Sequence, residues 1–174
     1  LSASCRLSGM CIKRSLEASV LNPSNKKQHS IRDMQIADLE PVVAIEQLIS
    51  QSPWSLKQFE QSLNDSKVLV SADKIIGFVV IASVIDEAEI HNLAVHPDHQ
   101  GLGLGSLLLD DALAQLPRAI RLLHLEVRAS NFPAIRLYLQ RDFVQVGERR
   151  DYYKTEHGRE DALLMSKQVG IGKD

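Results

Sequence analysis

The stretch HPDHQGLGLGSLLLDDALAQL, residues 96–116, decides the fold because it joins the end of a strand to a helix through a glycine-rich loop. Glycines alternate with leucines in this loop, at Gly101, Gly103 and Gly105. Glycine has no Cβ atom and lets the backbone approach a ligand closely. The amides and the positive dipole end of the following helix attract anions such as pyrophosphate. The loop is therefore a candidate cradle for a phosphorylated ligand.

The spacing of the loop excludes the two best-known glycine motifs. Its glycines are one residue short of G-x-G-x-x-G, and no lysine followed by serine or threonine completes a triphosphate-binding loop. The pattern that fits is Q-x-x-G-x-G, with Gln100, Gly103 and Gly105 at the key positions. A plain turn is the alternative for such a loop taken by itself.

The composition predicts one soluble domain. The chain has 174 residues, and its 44% hydrophobic and 24% charged residues are ordinary for a globular protein. A net charge of −2 argues against binding nucleic acid through a large basic surface. No apolar run approaches the roughly 20 residues that span a membrane. We therefore expect a cytoplasmic protein with neither nucleic acid nor membrane as its direct partner.

The first 30 residues differ from the rest of the chain. They contain five basic residues, one acid and several serines, a composition that is typical of organelle transit peptides. The alternative, which we favour, is an extension without regular structure, because an untethered terminus is usually disordered. Both cysteines, Cys5 and Cys11, lie here, which argues against a disulfide framework or a cysteine zinc site. The expected domain is residues 31–169, with a short tail at 170–174.

The spacing of apolar residues and turn residues predicts strands and helices in alternation. The first expected elements are a strand at 30–34, a helix capped by Asp38, and a helix opened by a Ser55–Gln58 capping box with Leu56, Phe59 and Leu63 on one face. A hairpin of strands at 68–71 and 75–85, an acidic connection at 86–89 and a strand at 89–95 follow, before the glycine loop and its helix. The last expected elements are a strand at 120–129, a helix capped by Ser130 or Asn131 that runs to about 141, and a closing hairpin at 143–153 and 162–169.

A second signal follows the glycine loop in the sequence. Side chains alternate along the fifth predicted strand, which places Glu126 on its polar face, and a carboxylate in mid-strand is unusual. In the motif N-x-x-A-x-x-L-Y, Asn131 and Tyr138 lie two helical turns, about 10.5 Å, apart on one face, where both can contact an elongated ligand. The structural alternatives are an ion pair of Glu126 with Arg128 or Arg121, a helix cap at Asn131 and core packing of Tyr138.

These residues resemble the GNAT superfamily of acetyl-CoA-dependent N-acetyltransferases, and within it the enzymes that acetylate the N-terminal alanine of a ribosomal protein. The resemblance covers residues 31–167. It rests on PWS at 53–55, DEAEIHNLAVHPDHQGLGLG at 86–105, LEVRASN at 125–131, AIRLY at 134–138, RRDYY at 149–153 and GREDA at 158–162. It implies an α/β (α+β) fold in which helices flank a mixed central sheet. The middle strands of that sheet would splay apart so that the pantetheine arm of acetyl-CoA lies between them.

The resemblance also implies where acetyl-CoA would bind. The backbone of Leu93, Ala94 and Val95 would hold the pantetheine arm, and Asn131 would contact the cofactor farther along. The pyrophosphate would lie against Gly101, Leu102, Gly103, Leu104, Gly105 and Ser106. Gly101 and Ser106 stand where related loops often carry arginine, so mainly the backbone would hold the phosphates. The histidines show no metal-ligand spacing, and we expect no metal.

The chemistry implied by the resemblance is direct attack of an amine on the thioester. Glu126 would act as general base, and Tyr138 as general acid toward the leaving thiolate. An α-amino group has a reference pKa of about 7.7–8.0, against about 10.4 for lysine, so a protein N-terminus is the easier amine to deprotonate. The implied acceptor is the N-terminal alanine of a small-subunit ribosomal protein whose first residues are basic.

Several residues are candidates for recognising that acceptor. Asp86, Glu87 and Glu89, with Glu160 and Asp161, are expected to form an acidic lip for a basic peptide, and a solvated loop is the alternative for them. Trp54, Tyr152 and Tyr153 are expected to shape the peptide groove.

Two departures from the family pattern affect the expected site. His91 replaces a common aromatic residue near the acetyl position. Asp142 replaces a usual glycine at a helix end where a left-handed residue is expected. Two other functions stay open at this point: a GNAT enzyme that acetylates lysine side chains or a small amine, and a non-catalytic acetyl-CoA-binding module.

Overall fold

A seven-stranded sheet with helices on both faces forms the centre of the computed structural model, which describes residues 29–156 and 158–170. Its elements are β1 (His29–Asp33), α1 (Leu39–Ile49), α2 (Leu56–Gln61), β2 (Ser66–Ser71), β3 (Lys74–Val84), β4 (Glu87–Val95), α3 (Leu104–Ala114), β5 (Leu122–Arg128), α4 (Phe132–Leu139), β6 (Val144–Thr155) and β7 (Gly158–Gln168). The predicted α/β fold class is confirmed. The predictions for residues 1–28, including both cysteines, and for residues 171–174 lie outside the described residues.

The sheet divides where its two parallel strands meet. The strand order is β1-β2-β3-β4-β5-β7-β6, and β4 with β5 is the parallel pair among otherwise antiparallel neighbours. These two strands pair from Glu87 with Leu122 to Ile90 with Leu125. Beyond that point β4 continues to Val95 and β5 to Arg128 without pairing to each other. The predicted mixed sheet with splayed middle strands is therefore confirmed.

A β-bulge at His91 marks the start of this division. Strand β3 pairs Ile81 with Ile90 and Val80 with Asn92, which leaves His91 as an extra residue on β4. A bulge bends its strand and increases the local twist. Because the bulge directly follows the last pair between β4 and β5, it turns the end of β4 away from β5.

Two hydrophobic clusters hold the halves of the sheet in place. On one face, Leu108 and Leu109 of α3 pack in a cluster with Leu123 and Leu125 of β5. On the other face, α1 and α2 cover β2, β3 and the end of β4, and the rings of Phe59 and Phe78 lie 5.2 Å apart in a T-shaped arrangement. Full burial of one such side chain contributes about 1.5–3 kcal/mol. The first cluster extends across the division, since it also includes Ala88 and Ile90 of β4, whereas the second holds β2, β3 and the end of β4.

The first helices follow the predicted capping only in part. The Ser55–Gln58 capping box is confirmed, since the Ser55 amide donates to Gln58 Oε1 at 2.9 Å and the Gln58 amide donates to Ser55 Oγ at 3.4 Å. Of the three residues predicted to share one face, Phe59 is the buried residue of α2, whereas Leu56 is 48% exposed.

Asp38 precedes α1, as predicted, but its side chain does not cap that helix. The carboxylate accepts from the Gln35 amide at 2.8 Å and pairs with Arg32, and the Arg32 hydrogen bond lowers the pKa of Asp38.

Several element boundaries differ from the predicted ones. Strand β4 begins at Glu87, so the connection after β3 is a two-residue turn at 85–86 rather than an acidic segment to residue 89. Glu87 and Glu89 consequently belong to a strand. Strand β1 begins at His29, one residue before the predicted start, and α4 ends at Leu139 rather than near 141. The closing hairpin of β6 and β7 is confirmed and is longer than predicted.

The left-handed backbone conformation of Asp142 at the end of α4 can be tested by substitution. Asp142 has a φ of +63°, as predicted for a left-handed residue, and the Phe143 amide closes the helix end by donating to the Tyr138 carbonyl at 3.2 Å. We expect Asp142→Gly to be more stable than Asp142→Ala by about 1 kcal/mol, because only alanine carries a Cβ in this conformation. Urea unfolding of both variants measures the difference. Both lose the carboxylate contact with Lys167, and equal stabilities would contradict the argument.

Candidate active site

The division between β4 and β5 lies beside two adjoining cavities. The larger, of about 740 Å³, lies between the glycine turn and α4. The smaller, of about 280 Å³, lies beside Glu126 and Trp54. Leu93, Asn131 and Ala134 line both cavities, so the two form successive parts of one groove. We call the smaller one the catalytic cavity.

The backbone of β4 offers free hydrogen-bonding groups to this groove. The His96 amide donates to the Ile76 carbonyl at 2.8 Å, and bonding alternates along an antiparallel pair, so Ala94 directs its backbone groups to β3. Leu93 and Val95 therefore direct theirs toward the gap. The Val95 carbonyl accepts from Gln100 Nε2 at 2.9 Å, in agreement with this alternation. An extended ligand that carries amide groups can pair with such an edge as an added strand does.

The glycine turn needs glycine for its conformation. Gly101 and Gly103 have φ values of +75° and +76°, and a Cβ atom at either position would meet no atom within 4 Å. Gly103 is the N-cap of α3, which begins at Leu104. Leu104, Gly105 and Ser106 therefore form the first helical turn, where amides have no acceptor one turn earlier. The two leucines differ, since Leu104 is 5% exposed and packs in the core whereas Leu102 is 67% exposed.

Arg136 on α4 is a groove residue that the sequence reasoning missed. It lines the larger cavity together with Pro133, Leu137 and Gln140. These four residues follow the i, i+3, i+4, i+7 spacing of one helix face. That spacing is visible in the sequence and could have indicated that Arg136 lies on the groove side of the helix that carries Tyr138. Arg136 supplies a cationic side chain to a groove whose glycine turn has none.

Glu126 faces the catalytic cavity from β5, and its side chain is 20% exposed. Its cationic partner is Arg149, whose Nη2 lies 3.1 Å from Glu126 Oε1. The alternative pairings of Glu126 are wrong. Arg128 pairs with Glu160 at 2.6 Å, and Arg121 donates to the Gly170 carbonyl at 2.8 Å.

Tyr138 and Asn131 both line the catalytic cavity, and each also has a structural role. Tyr138 is 6% exposed, and burial, with a smaller effect of Tyr153, raises its pKa to about 12. Its hydroxyl therefore stays protonated at neutral pH. Asn131 Oδ1 accepts from the Ala134 amide at 3.2 Å, so the alternative of a helix cap at Asn131 is confirmed. The catalytic role of Tyr138 and the cofactor role of Asn131 stay predictions.

A wide bulge in β6 brings Tyr153 to the catalytic cavity. Pairing with β7 jumps from Arg149 with Ala162 to Tyr153 with Glu160. Asp161 Oδ1 accepts from the Asp151 amide at 2.9 Å, and Arg128 lies 4.3 Å from the centre of the Tyr153 ring. Tyr152 is more exposed and packs edge-on against Tyr153, with ring centres 5.0 Å apart.

The acids predicted to form a lip lie in different surroundings. Glu160 pairs with Arg128, and Asp161 holds the β6 bulge, so neither carboxylate is free to form the predicted lip. Asp86 lies in the turn before β4, whereas the β4 wall of the catalytic cavity begins at Ile90. Glu87 and Glu89 remain as a pair of exposed side chains on β4.

Two histidines accompany these β4 acids. Glu89 Oε2 lies 3.5 Å from His91 Nε2, and Glu87 Oε2 lies 3.7 Å from His124 Nε2. His91 and Trp54 both line the catalytic cavity, with ring centres 6.1 Å apart. Glu89 also borders a small extension of this cavity beside Trp54 and Tyr153, so it is the predicted lip acid closest to the site.

Residues 29–156 and 158–170 contain neither a cluster of metal ligands nor a helix that could span a membrane. Within that part of the chain, no three His, Cys, Asp or Glu side chains are grouped so that they could hold a metal ion. No helix there is both long and apolar enough to cross a membrane.

The divided sheet, the glycine turn and the cavity that contains a carboxylate and a tyrosine define the class of the protein as an acyltransferase of GNAT type. The profile of the acetyltransferase (GNAT) family matches residues 29–143. This chain belongs to the acetyltransferase (GNAT) family.

Individual proteins that are similar to this chain have names that state an N-acetyltransferase activity. The chain is 37% identical over 147 residues to the [ribosomal protein bS18]-alanine N-acetyltransferase of Escherichia coli K12, covering 82% of this chain and 99% of that protein. The crystal structure of the Escherichia coli ribosomal-protein-S18-alanine N-acetyltransferase has a TM-score of 0.79 and 36% identity, over 84% of this chain and 97% of that one. Arabidopsis thaliana NAA60 in complex with acetyl-CoA shares the fold, with a TM-score of 0.72 and 21% identity over 82% and 100% of the two chains.

The position of Arg136 predicts a contribution to cofactor binding. We expect Arg136→Ala to raise the KM for acetyl-CoA about 1.5- to 5-fold, because Arg136 is exposed and an exposed ionic contact contributes about 0.2–1 kcal/mol. Steady-state kinetics at two salt concentrations measure this, and the effect should be smaller at high salt. Arg118→Ala is the matched control, since Arg118 is exposed and lies outside the groove. Equal KM values for the two variants would argue against the assignment.

Proposed function

We propose that this protein transfers the acetyl group of acetyl-CoA to the N-terminal α-amine of a ribosomal protein that begins with alanine. The observation that carries the proposal is the position of Glu126 and Tyr138 on the walls of one cavity, where the split between β4 and β5 meets α4. The [ribosomal protein bS18]-alanine N-acetyltransferases to which the chain is similar support the same acceptor. The proposed location is the cytoplasm, where such a substrate is made.

The groove accommodates the donor in one orientation. The backbone groups of Leu93 and Val95 bind the amides of the pantetheine arm. The first turn of α3 binds the pyrophosphate through the amides of Leu104, Gly105 and Ser106, assisted by the helix dipole. Gly101 and Gly103 shape the turn that presents these amides. The acetyl end then lies in the catalytic cavity, and Asn131 lines the passage between the two cavities.

Glu126 and Tyr138 divide the two proton transfers between them. Glu126 takes a proton from the attacking amine, directly or through a water molecule, while the amine nitrogen forms a bond to the acetyl carbon. The bond from that carbon to sulfur then breaks. Tyr138 donates its hydroxyl proton to the leaving thiolate, and exchange with solvent restores both groups. Direct attack requires no covalent intermediate on the protein.

The acceptor side of the cavity suits a peptide that carries positive charge. Trp54, His91 and Tyr153 form its walls, and Glu89 borders the entrance. Glu87 and Glu89 extend the acidic character along β4, where basic residues after the N-terminal alanine can lie.

The two proposed catalytic residues give a prediction about turnover. We expect Glu126→Gln and Tyr138→Phe each to lower kcat about 100-fold or more while the Kd for acetyl-CoA stays within about twofold, because both changes are nearly isosteric and remove the group that transfers the proton. Stopped-flow assays and calorimetry measure the two quantities. Because the pKa of Tyr138 is about 12, no loss of kcat from its ionisation should occur below pH 10. Wild-type rates in both variants would refute these roles.

A panel of acceptors tests the proposed reaction. We expect acetylation of peptides with a free N-terminal alanine and basic residues after it, and no acetylation of the same peptides when the N-terminus is blocked. Mass spectrometry of products, and of ribosomal proteins incubated with enzyme and acetyl-CoA, identifies the modified amine. Activity confined to N-blocked lysine peptides or to small amines would favour another GNAT reaction. Binding of acetyl-CoA without transfer to any acceptor would indicate a non-catalytic module.

A further inference from the structure

A second, buried carboxylate on the wall of the catalytic cavity has no part in the proton transfers described above. Glu46 lies in the last turns of α1 and is 3% exposed, yet it lines the catalytic cavity together with Glu126 and Trp54. Burial of a charged group is costly unless a partner compensates it. The contacts of Glu46 therefore bear on what the cavity binds.

The contact that the structure gives the Glu46 side chain is with the backbone of the α1–α2 connection. Its Oε1 accepts from the Trp54 amide at 3.3 Å, which is long for a hydrogen bond to a carboxylate. None of the ion pairs among residues 29–156 and 158–170 includes Glu46. One amide contact does not supply the positive charge that a buried carboxylate requires.

The cations near the cavity are already paired with other acids. Arg128 on the cavity wall pairs with Glu160, and Arg149 pairs with Glu126. The titratable side chains on the wall besides Glu46 are Glu126, His91, Arg128, Tyr138 and Tyr153. A cation that enters the cavity therefore meets two carboxylates on its wall, Glu46 on α1 and Glu126 on β5.

We propose that Glu46 binds the protonated N-terminal amine of the acceptor and holds it beside Glu126. The ammonium group first loses one proton to water and becomes the neutral nucleophile, and its second proton goes to Glu126 as the bond from nitrogen to the acetyl carbon forms. The inference rests on the proposed function and extends it, because it assigns a residue to recognition of the amine. It also gives a reason for product release. Acetylation converts the ammonium group into a neutral amide, which cannot pair with the Glu46 carboxylate.

Two substitutions at this position separate charge from structure. Glu46→Gln keeps an oxygen that can accept from the Trp54 amide and removes only the charge, whereas Glu46→Ala removes both. We expect Glu46→Gln to raise the KM for an alanine-starting peptide about 10- to 100-fold, the usual range for a lost hydrogen bond to a charged group. Its Tm and its KM for acetyl-CoA should match those of the wild type. Glu40→Gln, an exposed change on the same helix, is the matched control.

Direct binding distinguishes failure of this inference from failure of the proposed function. Calorimetry in the presence of CoA compares a free alanine-starting peptide with its N-acetylated form. Wild-type protein should bind the free form more tightly, with a preference that falls as the pH rises above the amine pKa, and Glu46→Gln should lose that preference. An unchanged preference in Glu46→Gln would overturn the inference while leaving the acetyltransferase proposal intact. If the wild type binds the free peptide preferentially but acetylates no N-terminal peptide, the proposed function fails instead.

Discussion

The structure depends on how early the parallel pairing of β4 and β5 stops. Four residue pairs join these strands, and the bulge at His91 then directs the remainder of β4 away from β5. Unpaired backbone groups inside a sheet are unfavourable unless something else binds them. The Gln100 side chain satisfies one of them at Val95, and the others line a groove that fits an extended ligand. The proposed binding site is thus an interruption in the sheet, where a bound ligand would complete the hydrogen bonding of the strand edge.

Such an interruption requires side-chain packing that holds the strands in place on both faces of the sheet. The cluster around Phe59 and Phe78 fixes β2, β3 and the end of β4 against α1 and α2. The cluster around Leu108, Leu109 and Leu125 fixes β5 against α3. Because packing on both faces fixes the strands, and the cluster that contains α3 extends across the division, the gap persists without hydrogen-bonded pairing between β4 and β5 beyond Ile90.

Most charged side chains around the catalytic cavity form ion pairs between different strands. Arg149 on β6 reaches Glu126 on β5, and Glu160 on β7 pairs with Arg128 on β5. Asp161 holds the bulge that carries Tyr152 and Tyr153. The GREDA stretch therefore shapes the wall of the cavity. Glu46 differs from Glu126 and Glu160 because its hydrogen bond is to a backbone amide and not to an arginine, and in our proposal its charge pairs with the acceptor amine.

The sequence by itself determined the features that depend on neighbouring residues. The Ser55–Gln58 capping box, the alternation that places Glu126 on the polar face of β5 and the left-handed conformation of Asp142 all follow from residues within one or two turns. The glycine spacing and the downstream Asn131–Tyr138 motif were likewise sufficient to indicate the family. Each of these signals acts locally, so the chain shows it without knowledge of the fold.

Tertiary structure decided the partners of the charged groups. Arg149 pairs with Glu126 because β7 lies between β5 and β6 and the β6 bulge sets which side chains reach across it. Arg136 lines the groove because α4 packs beside the divided strands. Glu160 does not contribute to the expected acidic lip because its carboxylate pairs with Arg128. The physical reason is that an ion pair depends on distance in space, which strand order and bulges set across many residues of chain. Spacing along the sequence does not encode that distance.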